Sequence, residues 1–402
     1  MIKDFRKSFF VAIILLTVAN AICCYPVMKR AAERPEEALR RVRLSSYQFR
    51  DDMNPDSLML ALRRNIEYLE HLDSKTIFYY GPDVFTLQQV QESQTALLDL
   101  LSRGVGPDEL SREIEKSFRV YRATGRVGNK KVLFTGYYEP VCEGSLARDE
   151  TFRYPLYRQP DDLIKIDLSL FGEKFRGESI VARIETASVL PYYTRHQIDV
   201  ERVLEGKGLE IAWLKDPVDV AFLQIQGSGR LRLRDGKEFL VTYQASNGRP
   251  YRSIGQYMIE KGFLSREEMS MQAIRKYLTE NREVLDEVLL HNPSYVFFRP
   301  VKQGPPGSLG ILLTPGRSVA LDSKLFPKGA IGFISSRKPV VNDRGEIVGW
   351  TKFSRFVLNQ DTGGAIKGAG RADIFWGSGP YAELAAGHLR HEGDLFFLIK
   401  NP

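Results

Sequence analysis

Asp361 and Asp373 bracket a run from Gln360 to Gly377 in which four glycines, Gly363, Gly364, Gly368 and Gly370, separate two carboxylates. Glycine lets backbone come close to a ligand and permits positive φ. The second carboxylate stands among Ala372, Ile374, Phe375 and Trp376. Poor solvation there would disfavour its charged form and raise its pKa. A carboxylic acid that stays protonated near neutrality can act as a general acid on a sugar. The plainer reading is a glycine-rich turn with a capping Asp, and both stay open at the level of these residues.

Other candidates gather around this run. Asp322 follows the apolar stretch Val319–Leu321, so three aspartates stand at strand ends and can converge at one barrel mouth. Their alternatives are structural capping and a hard-metal site. No further oxygen ligands lie nearby in sequence, so no metal and no cofactor is expected. Upstream, Gln224, Gln226 and Ser228 alternate along Ala221–Arg230, with Gly227 between them. If Val218–Gln226 is a strand, the three share one face and offer hydrogen bonds to an uncharged polar ligand, or form a plain outward face. Thr135, Gly136, Tyr137 and Tyr138 make a similar polar-aromatic edge. His388 and His391 lack an established Glu or Cys partner for zinc. The chain has no phosphate-loop ending and no Gly-x-Ser-x-Gly elbow.

These residues need elements to hold them. Asn54-Pro55-Asp56-Ser57 opens a helix with Leu58, Leu62, Ile66 and Leu69 on one face. A second helix is predicted over about Asp83–Leu101, and a third starts near Pro107. Strands are predicted over Val132–Glu139, Phe152–Arg158, Ala212–Trp213, Val218–Gln226, Arg230–Leu233 and Glu238–Tyr243, the last two joined by the turn Arg234-Asp235-Gly236. Helices return at Ser253–Lys261 and after the capping box Ser265–Glu268. Further strands near Ile311–Leu313, Val319–Leu321, Gly332–Ser335, Phe353–Leu358 and Leu395–Ile399 give the closing unit the texture of a small β-barrel with long loops.

Bulk properties set limits. With 402 residues the chain has room for about two domains. The net charge of +7 comes from dispersed Lys and Arg without an aromatic-interleaved basic run, which disfavours nucleic acid. Lys3, Arg6 and Lys7 precede an uncharged run, the layout of an export signal. Ala19-Asn20-Ala21 offers a cleavage site just ahead of Cys23 and Cys24, either of which is a candidate for lipidation. Ile22 departs from the small residue expected before a lipidated cysteine, so secretion or an uncleaved anchor remain alternatives. Met28–Arg43 is charged and reads as a tether. Only Cys142 lies beyond the signal, so the exported part is expected to hold no internal disulfide.

Taken in order, Phe134–Pro140, Gln224–Gly229, Tyr243–Gly248, Ser294–Phe298 and Gln360–Gly377 resemble the membrane-bound lytic murein transglycosylase A family, over about Val132 to Pro402. Asp322, Asp361 and Asp373 match the aspartates that give that family's C-terminal three-aspartate domain its name. The resemblance implies an α+β chain, mainly β with helices. In it a double-psi β-barrel with a helical N-terminal lobe (46–138 with 297–402, the three-aspartate domain at about 310–400) carries an inserted β-rich domain (139–296). A signal or anchor (1–27) and a linker (28–45) would precede it, and the glycan would lie in the groove between the two domains.

It also implies a reaction: non-hydrolytic cleavage of the β-1,4 bond between N-acetylmuramic acid and N-acetylglucosamine. Asp373 would act as acid and then as base, with Asp361 raising its pKa or ordering the loop, Asp322 supporting, and Lys367 stabilising the carboxylate. Thr135, Gly136, Tyr137, Tyr138, Gln224, Gln226, Gly227, Ser228, Gly363 and Gly364 would line the sugar site. The implied setting is the periplasm, attached to the outer membrane, with peptidoglycan glycan strands as partner and cell-wall synthesis or hydrolysis complexes as further partners. The rival readings are a hydrolase on the same barrel, with Asp361 as base, and a non-catalytic wall-binding protein.

Overall fold

In the computed structural model, residues 31–43 and 48–401 are described. The expected export signal, with Cys23 and Cys24, lies outside the described residues. No helix among those described is long and apolar enough to cross a membrane.

Among the described residues a short helical turn, 35–38, leads into strand β1 (Leu39–Val42), so part of the expected tether is structured: Ala38 and Leu39 are buried and β1 pairs with β4 (Phe118–Ala123). Helix 55–70 follows, its Asn54 cap accepting from Asp56 N–H with Pro55 in the first turn. The expected helix over Asp83–Leu101 is shorter. Ile77–Tyr80 and Asp83–Thr86 form a hairpin, β2 and β3, and the helix starts at Leu87. There Thr86 and Gln89 make a reciprocal capping box, a start signal not anticipated from the sequence. Helix 107–117 then leads into β4 (Phe118–Ala123) and β5 (Val132–Glu139).

A second unit leaves at Pro140. It holds β6 (Val141–Ser145), β7 (Tyr154–Tyr157), β8 (Ile164–Asp167), β9 (Ser179–Glu185), β10 (Ser188–Pro191), β11 (Glu210–Leu214), β12 (Ser228–Arg232), β13 (Glu238–Ser246) and β14 (Val296–Val301). Six of these pair in the order β14-β13-β12-β6-β11-β7, and β10-β9-β8 form a separate small sheet. Residues 217–226, expected as a strand, are a helix instead. Asp216 caps it, Pro217 occupies its first turn, and Gly227 ends it at φ +80°. Those boundary signals outweigh the β-branched residues inside. The Ser265–Glu268 box closes only a turn, and the next helix, 271–280, is capped by Ser270.

The chain returns with β15 (Ser318–Ala320), β16 (Ile331–Val341), β17 (Ile347–Asp361), β18 (Arg371–Ser378), helix 380–388 and β19 (His391–Lys400). Ile311–Leu313 contributes only an isolated bridge, Pro306 with Leu312. Pairing runs β5-β18-β15-β17-β16-β19 and back to β5, a closed six-stranded barrel, with β4 and β1 extending from β19. Two pairs, β5–β18 and β15–β17, are parallel.

Inside the barrel lie Phe134, Val319, Val357, Ile374, Trp376, Leu395 and Phe397 among others. A second core under helices 55–70, 87–102 and 107–117 joins Phe49, Leu62, Leu97 and Ile114 to Phe333 and Phe356. The segment before the first long helix clamps the barrel from outside. Arg317, fully buried, donates to Asp51 (2.5 Å), Ser57 Oγ, Asn54 O and Phe356 O. Arg355 forks onto both oxygens of Asp52, which Lys338 also reaches.

The two units are joined tightly where they meet. Only Pro140 separates β5 from β6. Arg230 donates its N–H to Pro140 O (2.8 Å) and its Nε to buried Glu139 (2.7 Å), while Tyr138 N–H donates to Gln226 Oε1 (2.9 Å).

Candidate active site

Strand register sets out one row of side chains across the barrel. Ala320 of β15 pairs with Asp361 of β17 on one side and with Asp373 of β18 on the other, and Asp373 pairs with Thr135 of β5. Two strand spacings, about 10 Å, therefore separate the backbones of the aspartates. Alternation along β18 decides which neighbours matter. Ala372, Ile374 and Trp376 enter the barrel core. Asp373 stands on the other face with Arg371 and Phe375, beside Thr135 and Tyr137. Its apolar sequence neighbours are thus mostly not its surroundings.

The two aspartates differ in their bonding. Asp361 accepts from Tyr137 Oη (2.7 Å), Ser308 N–H (2.9 Å) and Thr362 N–H (2.8 Å). Burial raises its pKa, and those three bonds work against the rise. Asp373 has no such help: its Oδ1 is shut from water without a hydrogen-bond partner among the described residues. Burial pushes its pKa up to about 6, with the Arg371 charge pulling it down and the Asp361 charge pushing it up. An acid with that pKa is protonated in a useful fraction near neutral pH and has a free oxygen to donate from.

Asp322 is a structural cap. It accepts from Lys324 N–H (3.0 Å) and from Gly368 N–H (2.7 Å), and so ties down the loop between the other two aspartates. Lys367 on that loop is exposed, and the cation acting on Asp373 is Arg371. Arg371 donates to Thr135 Oγ1 (3.2 Å), which keeps Thr135 in the row.

The other expected sugar contacts divide. Thr135 and Tyr137 belong to the row. Gly136 lies on the core side, where a Cβ would stand 2.6 Å from Trp376 Nε1, so this glycine makes room for the indole. Tyr138 is buried. Gln224 is buried in the second unit and accepts from Arg195. Gln226 is taken up by Tyr138 N–H, and buried Ser228 of β12 pairs with Thr242 of β13. Because residues 217–226 are helical, Gln224, Gln226 and Ser228 do not form one polar face. Gly227 is the helix stop. Gly363 packs on Ile366, and Gly364 is exposed with open space around it. His388 bonds Leu384 O and His391 packs on Trp350. Among the described residues no group of three or more His, Cys, Asp or Glu gathers as a metal site.

One residue near the row was not anticipated. Tyr251, in the loop after β13, keeps 39% of its surface exposed and lies within electrostatic reach of both Arg371 and Asp373, with partial desolvation raising its phenol pKa. Asn247 staples this loop, donating to Tyr193 O and Pro293 O and accepting from Tyr295 N–H. The second unit thereby brings a phenol to the barrel's carboxylate across the space between them. A lone Tyr in a loop carries no periodicity, and only its place four residues beyond Asn247 could have flagged it.

Comparison with known proteins bears on the family and the fold. The MltA specific insert domain matches residues 133–299, and the 3D domain matches residues 317–399. A crystal structure of a membrane-bound lytic murein transglycosylase from Agrobacterium tumefaciens is 32% identical with a TM-score of 0.72, covering 90% of this chain and 98% of that one. The chain belongs to the membrane-bound lytic murein transglycosylase A family. MltA from Neisseria gonorrhoeae is 31% identical, with a TM-score of 0.66 over 93% of this chain and 98% of its own. The membrane-bound lytic murein transglycosylase A of Vibrio cholerae is 34% identical over 270 residues, 66% of this chain. That match spans 65% of the length of the curated relative.

Proposed function

We propose that this protein is a peptidoglycan lytic transglycosylase in which Asp373 alone serves as acid and then as base. Protonated Asp373 gives its proton to the β-1,4 glycosidic oxygen between N-acetylmuramic acid and N-acetylglucosamine as the bond to C1 breaks. The carboxylate so formed takes the proton of the muramoyl C6 hydroxyl. O6 closes on C1, the 1,6-anhydro ring forms, and Asp373 ends protonated as it began. The nucleophile belongs to the substrate, so orientation supplies much of the rate.

The observation that carries this reading is the contrast within the row: one carboxyl with an unpartnered oxygen and a pKa of about 6, beside a second that is already fully engaged. A hydrolase would need that second carboxylate to activate water or to attack. Asp361, holding three donors, is poorly placed for either. The names of the relatives point to the same chemistry. In this reading the insert runs from Pro140 through β14 (Val296–Val301), past the expected boundary at 296 because β14 pairs with β13, and the glycan strand lies between Asp373 and Tyr251. The protein works in the periplasm, held at the outer membrane through Cys23 or Cys24. Blocking lipoprotein processing in cells should then change the mature mass, and an unchanged mass would remove the lipid anchor.

Digestion of purified sacculi tests the reaction. Anhydromuramic ends by mass spectrometry are the expected product, whereas new reducing ends would make the enzyme a hydrolase. Asp373→Asn should lower turnover by at least ~10²-fold with folding intact, and near-normal activity in that variant would sink the assignment.

A further inference from the structure

Several buried guanidinium groups among the described residues are well supplied with acceptors. Arg317 has four acceptors. Arg355 holds both oxygens of Asp52. Arg195 reaches Asn292 O, Ser294 O, Gln224 and Asp199. Arg119, Arg122, Arg183 and Arg371 each keep a buried Nε without a partner, but Arg122 and Arg183 are ion-paired with Asp394 and Glu185 and Arg119 lies over the Phe85 ring, whereas Arg371 stands in the aspartate row. Its one hydrogen bond is to the Thr135 hydroxyl, and its Nε is shut from water with no acceptor. No carboxylate among the described residues lies within ion-pair distance of it, although its charge acts on both Asp373 and Tyr251. A charged donor in that condition carries an uncompensated desolvation cost. It stands two residues before Asp373 on the same face of β18.

We propose that Arg371 binds a carbonyl or carboxylate oxygen carried by the sugar at the cleaved bond, and that this pairing favours the protonated form of Asp373. The proposal rests on the reading of Asp373 as the acid. Arg371 is a cation beside a group that must start neutral, and cations favour the ionised carboxylate. An acceptor oxygen seated on the guanidinium offsets that field, so recognition of the sugar helps to load the proton. The other groups facing Asp373 cannot do this. Thr135 and Tyr137 on β5 are uncharged, Ala320 on β15 is apolar, Asp361 on β17 repels the carboxylate whether or not sugar is present, and Tyr251 from the second unit is a neutral phenol. Two substituents can supply the oxygen: the acetamido carbonyl of either sugar, or the lactyl group of the muramoyl residue.

Two variants and two substrates test this. In the full chain, Arg371→Gln should raise KM by roughly ten- to a hundredfold, the range for a lost charged hydrogen bond. The alkaline limb of its kcat/KM profile should move to higher pH, because the free enzyme's acid has lost its neighbouring cation. Arg371→Lys keeps the charge but not the planar fork, so it should lose affinity while leaving the limb in place. A merely structural arginine would move neither separately. Binding is measured by calorimetry in the Asp373→Asn background, with and without Arg371→Gln, using a chito-oligosaccharide and a stem-free muramoyl glycan strand. Loss on both ligands assigns the acetamido carbonyl, and loss on the muramoyl strand alone assigns the lactyl group. Equal binding of both ligands with and without Arg371 would overturn the proposal. Should Asp373→Asn prove active, the acid assignment falls, and the binding arm still reports on Arg371.

Discussion

Two of the arginine–aspartate neighbourhoods on the barrel are built on opposite plans. In the outer clamp, Asp51 and Asp52 meet Arg317, Arg355 and Lys338, and each guanidinium nitrogen of Arg317 finds an acceptor. In the inner row, Asp373 and Arg371 each keep a buried atom without a partner. Burial alone would raise the Asp52 pKa, yet Arg355 and Lys338 hold it below its ordinary value. The Asp373 pKa goes the other way. The same pair of residue types is thus used once to fix the chain and once to keep bonding capacity open for something else.

The largest effect that could break this contrast is on the clamp. Arg317→Ala leaves the Asp51 charge buried and unpaired, and should cost about 3–5 kcal/mol of stability in a denaturant titration. A loss below about 1 kcal/mol, the level of an exposed pair, would show that the clamp is not a structural device.

The next test compares signs. Asp373 has a folded pKa above its unfolded one, so its ionisation weakens the fold as pH rises from about 4 through about 6. Asp373→Asn should therefore be more stable than the parent at pH 7, by up to about 3 kcal/mol, with the gap closing toward pH 4. Asp52→Asn should be less stable at pH 7, by about 1–2 kcal/mol for its lost charged hydrogen bonds. The Asp52 contribution is present above the unfolded carboxylate pKa and is lost as pH falls through the lower folded one, so that gap closes only under more acidic conditions. Equal signs in the two variants would erase the distinction.

The smallest effect sharpens the inner row. Parent kcat/KM should fall about tenfold per pH unit above about 6 as Asp373 ionises. Asp361→Asn removes a like charge roughly 10 Å away and should bring that limb down by about one pH unit. A limb that stays put would mean that Asp361 only orders the loop.

Much of this is legible in the sequence. Alternation and turn residues place β5, β7, β11, β12 and β15 and parts of β16, β17 and β19, but the glycine-rich run hides strand β18, on which Asp373 stands. Its apolar sequence neighbours flag it, yet period-2 alternation sends Ala372, Ile374 and Trp376 away from the carboxyl. Residues 217–226 mislead through composition: Val218, Val220 and Ile225 favour strands, but Asp216, Pro217 and Gly227 mark a helix from end to end. Arg371 could not have been ranked from sequence, since its meaning depends on the hydrogen bonds it fails to make, and Tyr251 gains its place only through the fold that brings its loop to the barrel.

The corner at Pro140 has a mechanical consequence. One continuous stretch of chain runs from the catalytic row into the second unit, and three hydrogen bonds weld it there. The two walls behave like a bracket braced at its vertex. Flexing can widen the far end while the span nearest Asp373 hardly changes. On the proposed function, a glycan strand seated between Asp373 and Tyr251 would be gauged by a fixed calliper, with any gating of access falling to the outer reach of the arms.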